Sequence, residues 1–261
     1  MRKSLFKIVM VPAFVFGTFA DAQLFRTKDR MDNLEGFDNQ KFSWGFFLAA
    51  NNYDYKLVLD PKLGMDGQKN AVQSKATYSF GAGLIGKMRL NDNFDLRLEP
   101  GLQFAQRELT FNTQSNDQYA GGTTFNDPFI PLTLTDADKI RTVKSTYIDI
   151  PLLLEFHGDR WYNSRPYAAA GVNWMMNLQS NSKSEDDNQQ GIFRTTSSNF
   201  AWSAELGIQF YFSRFKLTPA VRGTFMINDE IVADNATTPP YWASAISTGK
   251  TRALMFVLKF E

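Results

Sequence analysis

Few residues in this chain are of the types that catalysis requires. The 261 residues include a single histidine, His157, and no cysteine. Without cysteine the chain cannot form disulfides, use a thiol nucleophile or build cysteine-ligated zinc or iron–sulfur centres. His157 stands at a short turn, where a solvated structural histidine is a better interpretation than the general base of a lipid-modifying enzyme. We therefore expect no catalytic residue, no metal, no cofactor and no enzymatic activity.

Two further motifs have a chemical interpretation and a structural one. Residues 81–86 read GAGLIG, which matches the G-x-G-x-x-G pattern of dinucleotide-binding proteins. That site needs the motif between a strand and a helix, whereas here it lies inside an alternating strand pattern. We expect these glycines to make room for large neighbours. The acidic run at residues 184–188 lacks the spaced oxygen ligands of a calcium-binding loop, so we interpret it as a solvated loop.

Charged residues recur at every second position along several apolar segments. Asp95, Arg97 and Glu99 alternate with apolar neighbours in this way. Inside a protein such charges are tolerable when they pair with charges of opposite sign. We predict a lumen charge network of seven basic and five acidic residues: Lys87, Arg89, Asp95, Arg97, Glu99, Arg107, Asp149, Glu155, Glu205, Lys216, Arg222 and Lys259.

Eight segments must position these charges, and each alternates with period two as a β-strand does. In the first, Phe42, Trp44 and Phe46 share one face while Ser43 and Phe47 take the other. The segments are longer than the ~5–6 residues usual in soluble strands and reach the ~9–11 residues that cross a bilayer. They are residues 42–50, 76–90, 94–107, 146–156, 166–178, 200–212, 215–227 and 252–261.

The connections between the segments alternate in length. Short turns occupy residues 91–93, 157–165 and 213–214. Long polar loops occupy residues 51–75, 111–145, 179–199 and 228–251. This pattern predicts an all-β fold, an eight-stranded antiparallel transmembrane β-barrel with short periplasmic turns and long extracellular loops. The alternative, a secreted β-sandwich, leaves the alternation of loop lengths unexplained.

The first 22 residues have the features of an export signal. A basic start is followed by an apolar stretch at residues 8–19 and a small-x-small cleavage site ending at Ala22. We therefore predict a signal peptide at residues 1–22, a periplasmic N-terminal segment at 23–41 and the barrel at 42–261, located in the outer membrane. A net charge of +1 gives no reason to expect nucleic acid binding.

The sequence also predicts local irregularities. Pro100, Pro151 and Pro219 fall inside strands, where a missing N–H should produce bulges or gaps in the hydrogen-bond ladder. Alternation continues from Tyr53 to Leu59, so the first strand is expected to project beyond the membrane. Aromatic residues in the long loops are interpreted as contacts either with a partner or with the membrane interface: Tyr119, Phe125, Phe129, Tyr241 and Trp242.

Two parts of the sequence resemble PorT-like barrels of the Bacteroidetes. Residues 33–38 (NLEGFD) and the strand at residues 41–48 (KFSWGFFL) are similar to that family's Asn-Leu…Asp element and its Gly-Phe-Phe-Leu strand. In the family an Asn and a later Asp follow, and Asn51 or Asn52 and Asp54 stand in those places. Residues 147–154 (YIDIPLLL) are similar to its Tyr-x-(Glu/Asp)-(Ile/Leu)-Pro-Leu-Leu segment, which makes Pro151 a family feature.

The resemblance implies a non-enzymatic accessory of type IX protein secretion, with a further role in gliding motility in bacteria that glide. Its implied partners are outer-membrane lipid and other outer-membrane or periplasmic secretion proteins, with no nucleic acid and no small-molecule substrate. The family carries no catalytic residues to transfer. The alternative is a stand-alone small barrel for adhesion or membrane integrity, and a third class is a lipid-modifying enzyme.

Overall fold

Eight antiparallel strands close into a barrel in the computed structural model. Each strand pairs with the next in the chain, and the last pairs with the first. The third strand is interrupted at residues 99–100, so the sheet has nine strands when its two segments are counted separately. The strands are β1 (Phe42–Leu59), β2 (Val72–Arg89), β3 (Phe94–Leu98 and Gly101–Phe111), β4 (Ile140–His157), β5 (Ser164–Asn177), β6 (Ser198–Tyr211), β7 (Lys216–Met226) and β8 (Ile246–Phe260). The predicted fold class is confirmed.

The structure describes residues 33–61, 65–66, 69–70, 72–111, 139–184, 193–233 and 242–261. The predicted signal peptide and the loop aromatics Tyr119, Phe125, Phe129 and Tyr241 lie outside these ranges, as do residues 185–188 of the acidic run. Short elements complete the fold: 3-10 helices at Phe37–Asn39 and Trp242–Ala245, and paired two-residue strands at Met65–Asp66 and Lys69–Asn70. No helix in the described ranges is long and apolar enough to cross a membrane.

Side chains alternate between the two faces of the wall as predicted. Trp44 is 75% exposed on the outer face, whereas Phe47 on the inner face is 1% exposed. Cross-strand aromatic pairs stack on the outer face, such as Trp202 with Phe225, whose ring centroids are 4.6 Å apart. An apolar exterior around a charged interior is the arrangement of a barrel surrounded by lipid.

The strands extend further toward the long loops than the predicted segments did. β1 runs to Leu59, as expected from its continued alternation, while β4 begins at Ile140 and β8 at Ile246. In this extension the polarity of the two faces reverses: Lys56 and Lys250 are exposed on the outside. A second apolar cluster fills the inside: Tyr55, Val72, Leu109, Phe111, Val143, Ala245 and Ile246. The reversal places this part of the barrel in water, above the membrane.

The prolines interrupt the ladder where gaps were expected, and this prediction is confirmed. Pro100 and Pro151 share one gap, because the β3–β4 pairing stops at Leu98 and resumes at Gly101 without a change of register. Pro219 lies in a second gap, between β6 and β7. An additional register shift in β2 turns Thr77 to the outer face, although simple alternation places it inside.

Candidate functional site in the barrel lumen

The centre of the lumen holds a cluster of buried ion pairs. Glu205 contacts the side-chain nitrogens of Arg97 (2.5 Å), Arg222 (2.5 Å) and Lys259 (2.5 Å). The hydroxyl of Tyr167 also donates to Glu205, at 2.7 Å. Eight-stranded barrels are just wide enough for side chains to fill, and this cluster crosses that width. We call it the central network; its members are Arg97, Glu99, Glu155, Glu205, Arg222 and Lys259, each 0–1% exposed.

Two other carboxylates complete the central network. Glu99 lies 2.9 Å from Lys259 Nζ and 2.9 Å from Arg97 Nε, and it also pairs with Arg222. Glu155 pairs with Arg97 and accepts a hydrogen bond from Gln209 at 2.5 Å. Three cations therefore face three anions, which offsets the cost of taking each charge out of water.

Toward the short turns, a smaller cluster contains the only histidine. His157 Nε2 lies 3.2 Å from Asp95 Oδ2, and Lys87 Nζ lies 2.9 Å from the same oxygen. His157 is 2% exposed, so the expectation of a solvated turn histidine is wrong. It is the last residue of β4 and its side chain points inward, where the carboxylate of Asp95 holds it. Its other ring nitrogen, Nδ1, has no hydrogen-bond partner within the described ranges.

Lys216 is buried at the same end and pairs with a carboxylate that the predicted network did not include. Its Nζ lies 2.9 Å from Glu261 Oε2. Burial by itself would raise the pKa of Glu261, but the ammonium groups of Lys216 and Lys87 hold that pKa at about 2. Glu261 follows the inward-facing Lys259 by two residues, and this spacing is the signal that places it on the same face.

Arg89 lies at the rim of the lumen, where it lines a small cavity together with Lys87 and Asp95. It ends β2, its side chain is 30% exposed, and it pairs with Asp92 in the following turn. Arg89 therefore borders the lumen, but its carboxylate partner lies in the turn and not in the central network, because the strand ends at the rim. Asp149 does lie in the lumen, where it accepts a hydrogen bond from Asn173 at 2.9 Å.

The segment Leu34–Gln40 covers the mouth of the barrel at the short-turn end. The hydroxyl of Tyr211 donates to Asp38 at 2.8 Å, and Arg165 lies 3.5 Å from the same carboxylate. The ring of Phe37 lies 5.0 Å from Lys216 Nζ. A cavity of about 10 Å³ remains beneath the segment, which is room for about one water. This mouth is closed by a segment that the alternation pattern does not include.

A polar cluster around Arg107 closes the lumen toward the long loops. Arg107 donates to the hydroxyl of Tyr147 at 2.8 Å, and its guanidinium carbon lies 4.0 Å from the ring centroid of Tyr55. The hydroxyl of Tyr147 in turn donates to Glu230 at 2.5 Å, and Thr251 donates to the second oxygen of Glu230. Glu230 is fully buried although it belongs to a long loop. It therefore holds the start of this loop, at Glu230, inside the barrel.

The glycines of the 81–86 motif face crowded side chains, which confirms their structural interpretation. A methyl group at Gly83 would lie 2.5 Å from the ring of Phe47 and 2.4 Å from the carbonyl oxygen of Pro100. At Gly81 it would collide with Gln103. Within the described ranges, no group of three or more histidine, aspartate or glutamate side chains is arranged to hold a metal ion. Trp242 belongs to the 3-10 helix before β8.

Comparison with known sequences identifies a family. A family model described as outer membrane protein beta-barrel domain matches residues 22–232, which is most of the chain. No curated protein is significantly similar in sequence.

Solved structures of similar fold are outer-membrane proteins of distant sequence. OprG from Pseudomonas aeruginosa is 14% identical, with a TM-score of 0.38 over 83% of this chain and 93% of OprG. Neisserial surface protein A is 10% identical, with a TM-score of 0.39 over 84% and 98%. Ail of Yersinia pestis, in complex with the heparin analogue sucrose octasulfate, is 9% identical, with a TM-score of 0.35 over 85% and 99%.

Proposed function

The chain belongs to the outer membrane protein beta-barrel domain family and lies in the outer membrane, and we propose that it is a non-enzymatic accessory of type IX protein secretion that acts through protein contacts. The observation that carries this proposal is the filled lumen. The central network, the segment Leu34–Gln40 and the cluster of Arg107 and Glu230 obstruct it at three levels. A barrel without an open lumen acts through its surfaces.

The positions of the residues that resemble PorT-like barrels support the secretion role. Asp38, in the NLEGFD segment, covers the periplasmic mouth, and Tyr147, in the YIDIPLLL segment, binds the loop residue Glu230. Both resembling segments thus contribute to closing the barrel, one at each end. In this proposal the closed barrel presents its periplasmic mouth and its loops to other secretion proteins.

Deletion of the gene tests the secretion role directly. We expect a deletion strain to retain, inside the cell, cargo proteins that carry the C-terminal secretion signal, and a plasmid copy to restore their export. In a gliding species, colony spreading should fail in parallel. If the deletion strain exports such cargo normally, the secretion role is refuted.

Partner identification separates this role from the alternative of a stand-alone barrel for adhesion or membrane integrity. Affinity purification of the tagged barrel, after crosslinking in intact cells, should recover secretion-machine components. Their consistent absence would favour the stand-alone barrel. A lipid-modifying enzyme would instead be indicated by altered lipid A in the deletion strain.

A further inference from the structure

A groove of about 400 Å³ lies on the outer wall of the barrel, across β6 and β7. Its lining is apolar and includes four lipid-facing side chains that are 44–68% exposed: Leu206, Ile208, Val221 and Phe256. The groove is open to the outside of the barrel and not an enclosed cavity. Its position coincides with an irregularity in the strand pairing.

The irregularity is the second ladder gap, at Pro219. Leu217 pairs with Phe210 and Ala220 pairs with Gly207, but the two residue pairs between them are not joined in the ladder. Pro219 lines the groove at this gap. The ladder between β6 and β7 is therefore interrupted over these two pairs, as the β3–β4 ladder is at Pro100.

The alternation of the backbone shows which hydrogen bond is missing. Phe212 N–H donates to the carbonyl of Phe215 across the β6–β7 turn, at 3.0 Å. Because every second residue of a strand points its N–H to the same neighbour, the nitrogen of Pro219 faces the carbonyl of Ile208. Proline has no N–H, so this carbonyl has no ladder donor. The missing hydrogen bond at the groove therefore follows directly from having proline at position 219.

One of the residues that line the groove, Tyr167, belongs to the lumen. Its hydroxyl donates to Glu205 of the central network. Gly207 allows the ring to lie against the wall, because a methyl group there would be 2.7 Å from Tyr167 Cε1 and 2.8 Å from the carbonyl oxygen of Pro219. The hydrogen bond and the close packing hold the Tyr167 ring in place behind the wall.

The depth of the groove places it in the periplasmic leaflet. Pro219 follows Lys216, the first residue of β7, by three positions, which is about 10 Å along a strand. The apolar band of such barrels is ~25 Å tall, with aromatic girdles at its edges. Phe212 and Phe215 stack at the adjoining short turn, with ring centroids 4.9 Å apart. The groove opens just inside this turn, at the depth of phospholipid acyl chains.

We propose that the groove is a binding site for one acyl chain of a phospholipid in the periplasmic leaflet. The apolar lining fits the hydrocarbon, and the interrupted ladder at Pro219 gives the chain a recess that the regularly paired parts of β6 and β7 lack. The bound chain fills the space left open at Pro219 and covers the Ile208 carbonyl. This binding is independent of the proposed role in secretion.

Photo-crosslinking in a defined bilayer tests the proposal. The full chain is reconstituted in nanodiscs containing a phospholipid with a diazirine in one acyl chain, irradiated and mapped by mass spectrometry. Adducts should concentrate on Leu206 and Ile208. The variant Val221→Trp fills the groove and should lose this concentration of adducts. Val172→Trp is the matched control, because Val172 is a lipid-facing valine of similar exposure, 58% against 50%, outside the groove.

The outcomes distinguish a site from ordinary contact with lipid. Adducts spread evenly over the outer face, or unchanged in Val221→Trp, would overturn the proposal. If Val221→Trp fails to fold, as judged by heat-modifiable gel migration, Pro219→Ala replaces it. That variant supplies the missing N–H, closes the gap and should also lose the concentrated adducts. Retention of the wild-type adduct pattern in Pro219→Ala would then refute the site.

Discussion

At the scale of single residues, Glu205 binds three cations and also accepts the hydroxyl of Tyr167. Glu205→Gln removes one negative charge, so the three buried cations of the central network face only two carboxylates. Loss of one partner of a buried ion pair costs about 3–5 kcal/mol. We expect the free energy of unfolding to fall by about this amount, measured by urea titration in lipid vesicles with gel migration as the readout.

A matched control for Glu205 exists on the outer surface. Glu108 lies in β3 on the outer face of the extension above the membrane and is partly exposed. Glu108→Gln should change the urea midpoint little, because exposed charges contribute ~0–1 kcal/mol. Equal midpoints for the two variants would contradict the central role of Glu205.

Glu261 makes barrel stability depend on pH. Its pKa is about 2 in the folded barrel, below the ~4.3 of an unfolded glutamate. Because folding lowers this pKa, its stabilisation is present above pH ~4.3 and is lost as the pH falls toward 2. The shift corresponds to a contribution on the order of 3 kcal/mol. The urea midpoint of the wild type should therefore fall more than that of Glu261→Gln between pH 6 and pH 3; parallel curves would refute this linkage.

Several contacts at this scale involve residues that alternation alone does not place. Lys259 and Arg222 are predictable, because they occupy inward positions of regular strands. Glu230 is not, because it lies in a loop and reaches the lumen only through tertiary folding. Asp38 precedes the first strand, and its role could not be predicted because its partners Tyr211 and Arg165 come from strands distant in the sequence.

At the scale of elements, the β2–β3 wall depends on close backbone packing at Gly83. Its added methyl group would meet a backbone oxygen at 2.4 Å, which cannot move away as a flexible side chain would. Gly83→Ala should therefore destabilise the barrel by about 1–3 kcal/mol, as overpacking does. Gly158→Ala is the control, since a methyl group there has nothing within 4 Å. Equal urea midpoints for the two variants would contradict this explanation.

The segment Leu34–Gln40 is held to the barrel mainly through Asp38. Asp38→Asn weakens its ion pairs with Arg165 and Arg160. Partly exposed pairs are worth up to ~1 kcal/mol, so trypsin cleavage after Lys41 should accelerate by up to about five-fold. Mass spectrometry of timed digests measures this rate. Glu35→Gln, which removes an exposed charge of the same segment, should cleave at the wild-type rate, and no difference between the variants would count against the contact.

The extents of the elements were predictable within the membrane and, beyond it, only for β1, whose alternation continues to Leu59. Within the membrane the outer face is apolar and the inner face charged, so alternation gives the strands directly. Above the membrane the polarity reverses, with Lys250 outside and Ile246 inside. Such a stretch has the composition of a polar loop, and only pairing with neighbouring strands identifies it as sheet. The register shift in β2 could not be predicted from the sequence either, because it arises from the way β3 pairs with β2.

At the scale of the whole molecule, the lumen is obstructed at three separate levels. The mouth segment containing Asp38 lies at one end, the central network in the middle, and the cluster of Arg107 and Glu230 at the other. Each level is held by different residues, so loss of one leaves the other two. The purified barrel should therefore produce no stable open channels in a planar bilayer, and Asp38→Asn should be equally closed. Long-lived conductance steps in the wild type would refute the closed lumen, whereas steps that appear only in Asp38→Asn would show that the mouth segment alone closes it.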